Sequence, residues 1–131
     1  SDPVEVLRSL FNAIKRKEFA RAYSYWEGGA QLPPFGQFQQ GYANTVSVDL
    51  TVGSVTGSPG AGQLYYQVPV TLQAKSANNT TQSFVGCYSF HLARPDFQII
   101  PPFHPMAITN ATVRLVPNSA NFAVLMSGAC R

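Results

Sequence analysis

Read from its N-terminus, the chain places Val4, Leu7, Phe11 and Ile14 at helical spacing with polar residues between them. That stripe predicts an amphipathic helix with one buried face. Asp2, Pro3 and Glu5 supply its start: a side-chain cap, a proline at the first helical position and an acid in the first turn. Lys15, Arg16 and Lys17 then put cations at the negative end of the helix dipole. A second stripe of Phe19, Ala22, Tyr23 and Trp26 predicts another helix, stopped by Gly28-Gly29. After Pro33-Pro34, residues 35–42 read as a short helix or turn that directs Phe38 and Tyr42 inward.

From Thr45 the apolar period changes from helical to two. Val46, Val48, Leu50 and Val52 alternate with Thr45, Ser47, Asp49 and Thr51, which predicts a strand. Gly53 to Gly62, rich in glycine with Pro59, reads as a connecting turn. Leu64, Tyr66, Val68, Val70 and Leu72 form the apolar face of the next strand, and Pro69 predicts a bulge or an unpaired edge within it. Gln82 to Arg94 alternates on both faces: Phe84, Gly86, Tyr88, Phe90 and Leu92 on one, Val85, Cys87, Ser89 and His91 on the other. A strand packed on both sides has that pattern. A proline-rich excursion over 95–105 leads to a last strand, Met106 to Val116.

Helices followed by an antiparallel meander predict an α+β architecture. The expectation is one domain over residues 1–131: a helical part at 1–44, an antiparallel sheet at 45–117 and a C-terminal tail at 118–131. The N-terminal helices would pack in the concave face of a curved sheet of four to six strands, a cone.

Composition narrows the picture. Only 11% of the 131 residues are charged against 45% hydrophobic, so Ser, Thr, Asn and Gln supply the polar surface. No apolar run reaches the ~18–20 residues that span a membrane. The net charge of +3 owes much to Lys15, Arg16, Lys17 and Arg21, clustered at one helix end. Nucleic-acid binding needs a broader basic face with interleaved aromatics, so no nucleic-acid partner is expected. Cys87 lies mid-strand and Cys130 is penultimate. They either form a disulfide that ties down the tail, the favoured reading, or remain two free thiols. The disulfide would imply an oxidising compartment, secreted, periplasmic or at the cell surface. A start at Ser1 adds the expectation of a removed leader, or of a lipid anchor as the only membrane attachment.

The runs AIKRKEFARAYSYW (13–26), FQQGYANTVSVDLTVG (38–53), YYQVPVTL (65–72) and SFVGCYSFHLARP (83–95) resemble exported members of the nuclear-transport-factor-2-like superfamily. The resemblance implies the cystatin-like cone shared with ketosteroid isomerase, scytalone dehydratase and SnoaL-like polyketide cyclases. It spans roughly residues 3–117 and leaves the tail as an addition. Enzymes of that superfamily place charged or polar groups in the cone. Ketosteroid isomerase chemistry needs a carboxylate base opposite a tyrosine and a protonated aspartate.

Few carboxylates are available for such a role. Asp2 and Glu5 are caps, Glu18 joins two helices and Asp96 sits in a loop. Glu27, beside Trp26 at the cavity rim, and Asp49, on the polar face of its strand, are the remaining catalytic candidates. His91 is expected on the outer surface and His104 in a loop. Neither has acids or cysteines at ligand spacing, so no metal site and no cofactor are expected. Cys87 and His91 lie roughly 13 Å apart along the strand, too far to pair as thiolate and imidazole. What remains is aromatic: Trp26, Phe38, Tyr42, Tyr66, Tyr88 and Phe90 either line a ligand pocket or fill the core. The expected function is a non-catalytic binding domain for a small apolar ligand or a protein partner, with a homodimer through the outer sheet face included. The alternative is an isomerase- or dehydratase-type enzyme acting in the cone.

Overall fold

The computed structural model, which describes residues 2–28, 30–60, 63–93 and 106–131, opens with the helix that the first apolar stripe predicts. Helix α1 (Pro3–Lys15) buries Leu7, Leu10, Phe11, Ala13 and Ile14. The Asp2 carboxylate accepts from the Val4 N–H at 2.8 Å, satisfying a donor that the first turn leaves unpaired. At the other end, Lys17 adopts a left-handed φ of 61°. Glycine usually takes that position because a Cβ is crowded there. Lys17 is held in it by its ammonium, which donates to the carbonyls of Ala43 and Thr45 at 2.9 and 2.8 Å. Arg16 and Arg21 both pair with Glu18, and Arg21 also donates to Asn12 and the Tyr25 hydroxyl. Hydrogen bonds from Arg16 and then Arg21 hold the Glu18 carboxyl below its usual range. Three of the four clustered cations thus brace the helical layer. Helices α2 (Phe19–Ser24) and α3 (Phe35–Gly41) complete that layer, burying Phe19, Ala22 and Phe38.

Five antiparallel strands follow: β1 (Thr45–Val52), β2 (Thr56–Gly60), β3 (Gln63–Ser76), β4 (Thr81–Ala93) and β5 (Met106–Val116). Their order is β1-β3-β4-β5, and β2 shares the β1 side of β3. β1 pairs with the second half of β3, from Val70 onward, and β2 with the first half, up to Gln67. Pro69 falls between these two partners, where its missing N–H costs no ladder bond on that side. Its carbonyl accepts from Gly53 at 2.8 Å, where the chain crosses over.

Two expectations need correcting. Residues 56–60 of the stretch read as a turn form strand β2, which carries no apolar alternation because it lies at an edge. Val46 leaves the apolar stripe of β1: the register shifts between Thr45 and Ser47, and its side chain is 46% exposed. The 95–105 excursion, with Asp96 and His104, lies outside the described residues.

The concave face of the sheet carries Val68, Val70, Leu72, Tyr88, Phe90 and Ile108, and α1 fills it. The opposite face of β4 is also covered. Val85 and Cys87 are buried there beneath α4 (Phe122–Ser127), a helix formed by the tail and capped by the Asn121 side chain on Val124 N–H. Cys87 and Cys130 form a disulfide. Ser83, fully buried, donates to Asn118 at 2.7 Å, and Asn118 donates in turn to the Thr81 carbonyl. Gly86 lets β5 approach β4 closely: a Cβ there would stand 2.2 Å from the Thr112 carbonyl oxygen and 2.8 Å from the Val113 Cα. Among the described residues no helix is long and apolar enough to cross a membrane.

Opening the disulfide with Cys87→Ser and Cys130→Ser frees a loop closed across 43 residues. Chain entropy then gives a loss of about 4 kcal/mol, to be read from urea unfolding of the two forms. Gly86→Ala is expected to cost roughly 1–3 kcal/mol, because the obstacle is backbone that must move; a thermal melt equal to that of the unchanged protein would contradict this packing.

Candidate functional site

Inside the cone, α1 and the sheet leave a cavity of about 210 Å³. Its wall is made by Phe11, Tyr42, Val48, Leu72, Phe84 and Tyr88, with the polar side chains of Thr45 and Gln82 also lining it. The strand period explains the set, since Leu72 and Phe84 are register partners and Tyr88 lies on the same face of β4. Phe11 comes from the apolar stripe of α1 and meets the Tyr88 ring edge-on at 6.2 Å. Phe38 holds Tyr42 at 5.2 Å and is itself packed against Tyr23.

Of the six aromatics singled out in the sequence, Tyr42 and Tyr88 line the cavity. Trp26, Phe38 and Phe90 stand behind it: Trp26 packs on Tyr88 at 6.1 Å, and Phe90 is 1% exposed in the core. Tyr66 sits elsewhere, across from Gly57 near the β2 end of the sheet. Phe11, Val48, Leu72 and Phe84 also belong to the wall. Their signal was the apolar face of each element, which says that a residue is buried but not whether it borders a void.

The two phenols give the cavity its chemistry. Among the described residues neither the Tyr42 nor the Tyr88 hydroxyl makes a hydrogen bond, and neither is a fully buried unsatisfied atom. Burial raises both phenols above their usual range, and the neighbouring Tyr42 pushes Tyr88 further. Both therefore stay protonated at neutral pH and remain donors. Among the described residues no acidic or basic side chain contributes to the wall. The indole N–H of Trp26, unlike the two phenols, is buried without an acceptor among the described residues.

Both carboxylate candidates lie outside this cavity. After α2, residues 25–27 run beside β5 as a one-residue parallel bridge: Ile108 N–H donates to Tyr25, and Glu27 N–H donates to Ile108 at 2.8 Å. Extended backbone alternates its side chains, so Trp26 turns into the cone and Glu27 turns out. On the convex side the Glu27 carboxylate meets His91 Nδ1 at 2.8 Å. Glu27 is therefore not at the cavity rim. His91 is on the face that alternation predicts, but it is in hydrogen-bond contact with Glu27, 13% exposed and packed beside the Tyr65 ring rather than standing free at the surface. Asp49 is exposed on β1 opposite Gln73. Among the described residues no three potential metal ligands cluster. Among the described residues the cavity wall carries two phenol donors and no carboxylate.

No protein-family model and no curated protein sequence matches the chain. Solved structures do. A proposed dehydratase of the nuclear-transport-factor-2-like family from Streptomyces avermitilis superposes with a TM-score of 0.55 at 13% identity, covering 86% of this chain and 91% of its own. A proposed aromatic ring hydroxylase from Novosphingobium aromaticivorans gives 0.59 at 11% identity, over 89% and 93%. Candida albicans Mtr2 gives 0.55 at 13% identity, over 88% and 95%. The chain thus has the nuclear-transport-factor-2-like fold.

The raised phenols have a measurable consequence. In a spectrophotometric alkaline titration, Tyr42 is expected to ionise above the ordinary phenol range of about pH 10, and Tyr88 only on unfolding. Both folded-state values lie above the unfolded one. Their contribution to stability is therefore complete below pH ~10 and is lost as the pH climbs beyond it. Tyr88→Phe should remove the last-titrating phenol, and an unchanged titration curve would show that Tyr88 is not the protected group.

Proposed function

We propose that the chain is a non-catalytic binding domain whose cone holds a small, uncharged, largely apolar molecule. One acceptor atom of that molecule, such as a carbonyl or ether oxygen, takes hydrogen bonds from Tyr42 and Tyr88. The observation that carries this reading is a pair of phenols with no hydrogen bond among the described residues, on the wall of a 210 Å³ cavity that no charged side chain among those residues lines. Neither phenol oxygen is shut away as an unsatisfied buried atom, so an acceptor in the cavity can reach both. An engineered apolar cavity of about 150 Å³ accommodates benzene. By that scale this cavity suits a single ring with one short substituent, about eight to ten non-hydrogen atoms.

The names of two structural neighbours include dehydratase and hydroxylase activities. Carbon-acid or dehydration chemistry by acid and base in this chain would need a proton carrier at the bound molecule. Glu27 is instead committed to His91 on the other side of the sheet, and Asp49 is exposed. That distribution favours binding over turnover. The disulfide is compatible with an extracellular location, and we read the domain as exported. It would then work where free thiols are scarce and a tethered tail adds durability.

Binding is testable with monocyclic ketones and ethers, for instance acetophenone and anisole, followed by chemical-shift changes at the Tyr88 and Phe84 amides. Dissociation constants of about 10 μM to 1 mM are expected for ligands of this size. Tyr88→Phe should weaken the ketone by roughly 3- to 10-fold and leave toluene almost unaffected. Equal affinity of the unchanged protein for toluene and acetophenone would remove the role assigned to the phenols.

A further inference from the structure

The strand edge at β5 touches the cavity only at Val113, and the rest of it has no part in the cavity. Residues 25–27 cover that edge at Ile108 only. From Asn110 to Leu115, among the described residues, β5 has β4 on one side and no strand on the other. From Asn110 to Leu115 this edge has no proline, no inward-pointing charge and, among the described residues, no covering helix; its guards are the convex-side Arg114 and the register shift beside Thr109. It also exposes Val113 at 40% and Leu115 at 60% on its concave-face side. On its convex side a groove of about 730 Å³ runs between β5 and the tethered helix α4. Val85, Thr112, Arg114, Val124, Leu125 and Arg131 line it. Neither arginine has an ion-pair partner among the described residues, and no acidic side chain lines the groove.

We infer that this edge and groove together form a docking site for an extended segment of a partner protein, added to the sheet as a further strand. The segment's chemistry follows from the pleat. A strand beside β5 sends alternate side chains to the two faces of the sheet. Those on the concave side meet Val113 and Leu115 and should be apolar. Those on the convex side enter the groove beside Arg114 and Arg131 and should be acidic. The disulfide keeps α4 in place as the far wall, so the groove is formed before the partner arrives.

Charge also argues against a second copy of this chain as the occupant. The groove-side residues that another β5 would offer are Asn110, Thr112 and Arg114, with no acid among them. Two copies joined along β5 would bring four arginines to one seam in a protein already carrying +3.

The test uses the full 131-residue disulfide-bonded chain and three fluorescent nine-residue peptides of one length. One alternates valine with glutamate, one alternates valine with lysine, and one is the glutamate peptide with alternate backbone amides N-methylated on the edge-facing side. Anisotropy should show the glutamate peptide binding about 10-fold or more tighter than the lysine peptide, with the methylated peptide losing that affinity. Arg114→Glu should narrow or reverse the preference between the charged peptides. Arg114 is exposed, and a thermal melt checks that the variant is folded. Equal binding of the two charged peptides, or none by either, would overturn the proposal. So would binding that N-methylation leaves intact, since ladder formation would then play no part. Sedimentation showing a dimer that Leu115→Lys dissociates would assign the edge to a second copy instead.

Discussion

Coverage of β4 on both faces is the constraint on which the rest depends. Its concave face carries Tyr88 and Phe90 against α1 and Trp26, while its convex face carries Val85 and Cys87 beneath α4. A strand so placed has no solvent side, and its register with both neighbours is therefore strongly specified: a slip of one residue would exchange the two buried sets. β4 accordingly pairs with β3 without interruption from Gln63 to Lys75 and with β5 through a single irregularity. Gly86 lies at the middle of this arrangement, where the β5 backbone leaves no room for a Cβ.

The division of faces also divides the chemistry. On the concave side, the wall of the cavity is apolar apart from two phenols and two neutral polar side chains, and burial keeps those phenols protonated. On the convex side lie the Glu27–His91 pair, the tail with its disulfide and the arginine-flanked groove. Charged groups on the convex side remain hydrated or paired, so they carry little of the desolvation cost they would meet in the cone. A cone wall with no charged side chain among the described residues fits the neutral ligands proposed for it. Ionised ones would lose their hydration without a compensating partner.

The helical layer is fastened to the sheet by bonds at its ends rather than by helix length. α2 and α3 are a turn or two long, too short to be stable alone. Glu18 joins Arg16 and Arg21, Lys17 reaches the carbonyls before β1, and the 25–27 segment is stitched to Ile108. These contacts fix where α3 delivers Tyr42, and hence the position of one of the two donors in the cavity.

Much of this was already present in the order of residues. The apolar stripe of α1 with its Asp2 cap, the change of period at Thr45, the two-sided alternation of β4 and the terminal placement of Cys130 depend on local spacing, which a sequence displays directly. The same alternation assigned His91 to the face opposite Tyr88. Its partner was not legible, because Glu27 lies 64 positions earlier and reaches His91 only once residues 25–27 have joined β5 at Ile108. Strand β2 and the outward turn of Val46 escaped for a related reason: edge pairing and a register shift are decided by the neighbouring strand and leave no apolar period of their own. The six aromatics were recognisable as inward-facing, yet burial alone does not distinguish a residue that fills the core from one that borders a cavity. That distinction rests on a few ångströms between α1, α3 and the sheet, and only the packed tertiary structure decides it.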